Sequence, residues 1–177
     1  PDDAVLGKVR GLKGFHNIAD YPEARTIPGL LLYRFESNLV FYNADYFKAR
    51  VRKAVEAQKT PVEWVVVDAS SVNIVDVSAL NKIDELRHEL AAGGLQLYFA
   101  RVKRNLEKYF NPKFAKKRRK SAKKYRFQTM SAAIKGYLKY KKAQEASDAK
   151  LDVVDPEMDP KTWHEPIQPP RAKSSVK

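Results

Sequence analysis

The chain has 177 residues, of which 44% are hydrophobic, enough for one packed domain of ordinary size plus tails. Its formal net charge of +13 favours anionic partners such as phospholipid headgroups, nucleic acid or acidic proteins. The absence of cysteine excludes a disulfide framework, a thiolate metal site and a cysteine nucleophile. No stretch approaches the roughly 18 consecutive apolar residues that are needed to cross a bilayer.

The first third of the chain shows a strand pattern followed by a helix pattern. Residues 30–36 (LLLYRFE) follow a Pro-Gly pair and predict a strand, and residues 39–41 predict a short second strand. Between Ala44 and Gln58 the apolar residues recur at helical spacing, with charged residues on the opposite side. This spacing predicts an amphipathic helix that packs on the sheet.

The middle of the chain repeats this alternation. Residues 62–69 (VEWVVVDA) contain an unbroken apolar run, which is typical of a central strand that is buried on both faces. A helix is predicted to begin near Asp76 to Ser78 and to end at the Gly93-Gly94 pair. Residues 95–100 (LQLYFA) predict the next strand.

The last predicted elements are a short helix over residues 102–109 and a final helix that Thr129 caps. Strands that alternate with helices of this length imply right-handed crossovers and a mostly parallel sheet. The prediction is therefore a small α/β domain, with a mostly parallel or mixed central sheet of about four to five strands packed by about four helices.

Composition divides the chain into three parts. Residues 1–27 are predicted to form an N-terminal linker and edge segment, and residues 28–145 the folded domain, with a basic insertion at 111–125. Residues 146–177 are rich in proline and acidic side chains, so they cannot bury enough apolar surface to offset the entropy of ordering. We expect an extended tail there.

Several stretches of the chain resemble the STAS domain of SulP-type anion transporters. They are residues 21–24 (YPEA), 27–35 (IPGLLLYRF), 39–47 (LVFYNADYF), 65–70 (VVVDAS), 74–80 (IVDVSAL), 127–129 (FQT) and 132–134 (AAI). Each is short and weak alone, but together and in this order they are specific. The resemblance covers roughly residues 5–142, with a gap across the basic run.

The resemblance implies a STAS-type α/β fold attached to a transmembrane anion-transport unit that precedes Pro1. It implies a regulatory role in assembly, trafficking or gating at the cytoplasmic face of the inner membrane. The expected partners are the transmembrane domain of the same transporter, a second copy in a homodimer, and a cytosolic regulatory protein. Family members move sulfate, bicarbonate or dicarboxylates, and no residue here selects among these anions.

Residues 76–79 (DVSA) form the first candidate site. In the related anti-sigma-factor antagonists the matching turn carries a phosphorylated serine, and Ser78 occupies its place. A phosphate at a helix N-terminus meets free amides and a favourable dipole. The simpler interpretation is that Asp76 or Ser78 only caps the helix. Asp68 could join Asp76 and Ser78 in an anion, nucleotide or partner site at the strand ends, although it more simply bonds to turn amides.

The basic run is the second candidate site. Its charged residues could contact an anionic leaflet, or they could form a solvated insertion. The residues concerned are Lys116, Lys117, Arg118, Arg119, Lys120, Lys123 and Lys124. Nucleic-acid binding is the competing interpretation, but no recognition motif accompanies the charge.

We predict neither an enzyme nor a cofactor or metal site. The three histidines lie far apart in sequence, and the zinc-protease, serine-hydrolase and phosphate-loop motifs are absent. The alternative function is a freestanding phospho-switch that resembles the anti-sigma-factor antagonists. The coding sequence before Pro1 distinguishes the two, because only a transporter would place apolar helices there.

Overall fold

A computed structural model describes residues 2–110 and 126–151, with side chains through residue 148. In chain order the elements are β1 (Asp3–Gly7), β2 (His16–Asn17), β3 (Leu30–Phe35), α1 (Ala44–Glu56), β4 (Trp64–Asp68), α2 (Val77–Ala92), β5 (Gln96–Ala100), β6 (Arg126–Phe127) and α3 (Met130–Leu151). Among the described residues, the boundary between two units falls between residues 139 and 140.

The six strands form one sheet in the order β2-β1-β3-β4-β5-β6. Strands β3 to β6 run parallel, whereas β1 is antiparallel to both β2 and β3. The unbroken apolar run of β4 lies at the centre, and all five of its residues are buried. This confirms the α/β prediction with a mixed sheet, although the described residues form six strands and three helices.

Alternation along the strands divides the core between the two faces of the sheet. Leu31, Val65 and Phe99 belong to the main hydrophobic cluster together with Phe47 of α1 and Leu86 of α2. The opposite face carries Trp64, whose ring lies 5.5 Å from that of Tyr137 on α3 and 4.3 Å from that of Tyr98. Helices α1 and α2 therefore cover one face, as right-handed crossovers between strands added in one direction require, and the part of α3 that carries Tyr137 packs on the other face.

Helices α1 and α2 lie side by side and are joined by ion pairs. Lys48 of α1 lies 3.1 Å from Glu85 and 2.6 Å from Glu89 of α2, measured between nitrogen and oxygen. Lys82 of α2 reaches back to Asp45 at 3.3 Å. The carboxylates of these pairs are at least 40% exposed, so each pair adds little to the free energy of unfolding.

Three sequence predictions need correction. Residues 104–109 form turns rather than a helix, closed by hydrogen bonds such as that from the Leu106 N–H to the Lys103 carbonyl (2.8 Å). Residues 39–41 form no strand, because Leu39 makes only an isolated bridge to Val75. Helix α3 continues to Leu151, so the first residues of the expected tail are helical. The rest of that tail lies outside the described residues.

Candidate functional site

The loops that follow β3 and β4 meet at the carboxyl edge of the sheet. The Leu39 N–H donates to the Ile74 carbonyl (3.0 Å), and the side-chain oxygen of Asn38 accepts from the N–H groups of Asn73 (2.9 Å) and Ile74 (3.1 Å). Two segments that are 35 residues apart in sequence are thus held as one surface. Parallel α/β sheets place their binding sites at this edge.

Asp76 fixes both loops with one carboxylate. Its Oδ1 accepts from the Ala79 N–H at 2.8 Å, which caps α2, and its Oδ2 accepts from the Phe41 N–H at 2.7 Å. The capping interpretation of Asp76 is therefore confirmed. Ser78 is the second residue of α2 and is exposed. It does not cap the helix, and its phosphorylation stays a prediction.

Asp68 is a buried carboxylate at the end of β4. Its Oδ2 lies 3.3 Å from Nε of Arg34 and 3.2 Å from Nη1 of Arg101, and its Oδ1 accepts from the Ser70 N–H at 3.1 Å. The predicted bond to a turn amide is confirmed. Within the described residues, no hydrogen bond or shared partner joins Asp68 to Asp76, and a joint anion, nucleotide or partner site of Asp68, Asp76 and Ser78 stays a prediction.

Sequence analysis missed both arginines. In the sheet register Arg34 is paired with Asp68, and Arg101 directly follows Ala100, which is paired with Asp68 on the other side. Strand-end residues of neighbouring parallel strands meet, so an arginine at the end of each flanking strand was the available signal. Arg101 also has a φ of +60°, a left-handed conformation that its bonds to Asp68 and Phe127 maintain.

A second carboxylate anchors β1 beside the same edge. Asp3 accepts two hydrogen bonds from Arg50 of α1, at 2.9 and 2.8 Å, and one from the Tyr33 hydroxyl at 2.6 Å. Burial alone would raise the pKa of Asp3, but these hydrogen bonds outweigh it and lower the pKa. Burial and the neighbouring Asp3 raise the pKa of Tyr33, which therefore remains a neutral donor.

Apolar side chains at this edge were also missed. Phe41 and Tyr42 are 70% and 72% exposed, and Ile74 and Val77 are 56% and 63% exposed. The spacing contained a signal, because Val77 lies outside the apolar stripe of α2. Phe41 was misassigned to the predicted strand over residues 39–41, and Tyr42 was assigned to no element. These residues face solvent although their chemistry favours burial.

The described residues do not contain three or more His, Asp or Glu side chains placed to hold a metal ion. His16 and His88 each bond to a nearby carbonyl, of Lys13 and Asp84 respectively. None of the described helices is long and apolar enough to span a bilayer. The predicted membrane-contact residues, Lys116 to Lys124, lie outside the described residues.

These observations define a small α/β domain with a mixed sheet and a structured loop edge. The family model for the STAS domain matches residues 21–112, more than half of the chain. The chain therefore belongs to the STAS domain family, as the resemblance predicted.

Sulfate transporters are among the relatives in sequence. A probable sulfate transporter of Mycobacterium tuberculosis is 44% identical over 106 residues, which is 60% of this chain and 19% of that protein. Sulfate transporter 1.3 of Arabidopsis thaliana is 32% identical over 108 residues, 56% of this chain and 16% of that protein. The chain thus spans less than one fifth of the length of these two transporters.

Solved structures support the fold. The murine solute carrier 26 member A9 anion transporter, in its inward-facing state, matches with a TM-score of 0.65 at 18% identity, over 75% of this chain and 21% of that chain. A sulfate transporter family protein from Wolinella succinogenes matches with a TM-score of 0.50 at 14% identity, over 71% of this chain and 97% of that chain.

Proposed function

We propose that this chain is the cytosolic regulatory domain of a SulP-type secondary anion transporter and has no catalytic role. The observation that carries the proposal is the 44% identity to a probable sulfate transporter of which the chain covers only 19%. In this proposal the domain acts on a transport unit elsewhere in the same polypeptide. It would lie at the cytoplasmic face of the inner membrane.

The domain would act in assembly, trafficking or gating through protein contacts. The carboxyl edge suits this role because two loops are fixed there by Asn38 and Asp76, and an ordered surface loses little conformational entropy on binding. Sulfate, bicarbonate and dicarboxylates are the candidate substrates. In this proposal the transport unit forms a homodimer, so two copies of the domain lie near each other.

The test begins with the gene that encodes the chain. We expect a series of apolar helices before Pro1, and loss of labelled sulfate, bicarbonate or dicarboxylate uptake when the domain is deleted. Uptake is normalised to the amount of transporter in the membrane, which separates gating from trafficking. A gene that encodes no transport unit contradicts the proposal.

The second candidate function is a freestanding phospho-switch. The exposed position of Ser78, two residues after the Asp76 cap, favours it, because a phosphate there would meet the α2 N-terminus. Mass spectrometry of the native protein tests it. Phosphate on Ser78 in a gene product that lacks apolar helices would support the switch, and an always unmodified Ser78 would exclude it.

A further inference from the structure

Five large apolar side chains gather at the carboxyl edge of the sheet. The described residues expose eight large apolar side chains, and five of them belong to the loop before α1, the first turn of α1, the loop before α2 and the first residue of α2. We call these five residues the edge patch: Phe41, Tyr42, Tyr46, Ile74 and Val77. Exposed apolar side chains gathered in this way mark interaction surfaces.

Hydrogen bonds hold the edge patch in place. The Asp76 carboxylate binds the Phe41 N–H, so the backbone of Phe41 lies beside the first turn of α2, which begins with Val77. The rings of Phe41 and Tyr42 pack edge to face with centroids 5.5 Å apart. A surface that is already ordered pays little entropy when a partner covers it.

The charges around the edge patch favour a protein partner over lipid. Asp45, whose side chain is 76% exposed, pairs with Lys82 at 3.3 Å, so both signs of charge border the aromatic residues. An aromatic centre with a mixed polar rim is the usual composition of a protein interface. An anionic leaflet would instead favour a rim of basic residues alone.

Strand β1 enters the domain at this same edge. Because β1 runs antiparallel to β3, its first residue, Asp3, is paired with Phe35 at the end of β3. The Glu36 N–H donates to the Asp2 carbonyl at 2.9 Å, and Asp3 is held by Arg50. A segment joined before residue 2 therefore starts beside the edge patch and is present there at high effective concentration.

We propose that the edge patch docks the domain on the cytoplasmic surface of the transport unit that precedes it. This inference rests on the proposed function. The matching surface on the transport unit is expected to be apolar, with hydrogen-bonding groups for the two tyrosine hydroxyls. Contact here would connect the position of α1 and α2 to the state of the transport unit.

Photo-crosslinking in the full-length transporter tests the inference. A benzophenone amino acid is placed at Phe41 or Val77, with Leu12 and Leu138 as controls because they are apolar and 40% and 45% exposed elsewhere on the domain. A protease site inserted before Pro1 then releases every domain that is not crosslinked. We expect the patch positions to retain at least about fivefold more domain on the transport unit than the controls, given the tethered geometry.

Other adducts would overturn the inference. Domain-to-domain adducts would identify a second copy as the occupant, and lipid adducts would identify the bilayer. Equal yields from patch and control positions would also contradict it. Each substituted domain is first melted in isolation, and only variants with the parental midpoint are compared. If deleting the domain abolishes uptake while the patch gives no adduct, the proposed function stands and only the docking surface is wrong.

Discussion

Gly29 shows how a single position constrains the turn into β3. It has a φ of +81°, and a Cβ there would overlap the Tyr137 hydroxyl and lie 2.9 Å from a Glu63 carboxylate oxygen. We predict that Gly29→Ala lowers the free energy of unfolding by about 3 kcal/mol, because left-handed strain and overlap both apply. Urea unfolding followed by tryptophan fluorescence measures it.

Gly94 provides the matched control. Its φ of +80° is the same, but no atom lies within 4 Å of its added Cβ, so Gly94→Ala reports the conformational strain alone, about 1 kcal/mol. Removing the hydroxyl by Tyr137→Phe should recover part of the Gly29→Ala loss, although it also removes the bond to the Pro28 carbonyl. Equal losses at the two glycines would contradict the steric explanation.

Asp68 permits a second test at the residue scale. Asp68→Asn keeps the shape of the side chain but leaves Arg34 and Arg101 without their shared buried carboxylate. We expect a loss of about 2 kcal/mol, since both arginines are partly exposed and water screens them. Glu36→Gln is the control, because it removes only the exposed pair with Arg34 and should cost less than about 0.5 kcal/mol. Thermal or urea unfolding of both variants measures these two losses in free energy of unfolding.

At the scale of elements, the start of α2 depends on Asp76. Asp76→Ala removes a helix cap and also the bond that holds the Phe41 N–H, whereas Thr129→Ala removes only the cap of α3. We predict a loss of about 1 kcal/mol for Thr129→Ala and about 2 kcal/mol for Asp76→Ala. Hydrogen exchange should accelerate at Phe41 in the Asp76 variant alone. Unchanged exchange there would disprove the connecting role of Asp76.

The attachment of β1 should depend on pH. The pKa of Asp3 is lowered in the folded protein, so its contribution is complete above the unfolded value of 3.8 and is lost as pH falls through the folded pKa. Asp3→Asn should therefore cost about 1 kcal/mol at neutral pH, and this difference should disappear under strongly acidic conditions. Asp45→Asn, at a mostly exposed pair, should show almost no loss. A pH-independent Asp3→Asn loss would exclude the ionic explanation.

The spacing of apolar residues predicted the amphipathic helices, which bury one face, and the central strand, which is apolar along most of its length. Strand β4 and helix α2 agree with expectation within two residues at each end, because burial of Trp64 to Val67 and capping by Asp76 are local signals. Elements determined by long-range pairing were not predictable in this way. Strand β1 exists because it pairs with β3, and the turns at 104–109 replace a helix despite a helical pattern.

At the scale of the whole molecule, local sequence predicted some residues of the candidate site, whereas others could be identified only from the fold. Asp76 was found because a helix cap is visible in sequence, whereas the Asp68 pairs with Arg34 and Arg101 needed the strand order. The edge patch needed the fold as well, since exposure of Phe41 and Val77 depends on where the two loops meet.

The net charge of +13 predicts that the intact chain binds anionic lipid surfaces. We propose that the basic run contributes to contact with an anionic leaflet, at about 1 kcal/mol for each basic residue near the surface. Replacing Lys116, Lys117, Arg118, Arg119, Lys120, Lys123 and Lys124 with glutamine should abolish retention on vesicles that contain anionic lipid. Sedimentation of the chain with vesicles at low salt measures this retention.

Ionic strength and competing ligands separate the remaining interpretations of this charge. Retention by the parental chain should fall as salt approaches 1 M, where the screening length is about 3 Å. Residues 152–177 carry five acidic and four basic side chains, a net charge of −1, so removing them should change retention little. If neutral vesicles retain the chain equally well, the electrostatic explanation is wrong. If oligonucleotides of matched charge bind more tightly than vesicles, the basic run is a nucleic-acid site instead.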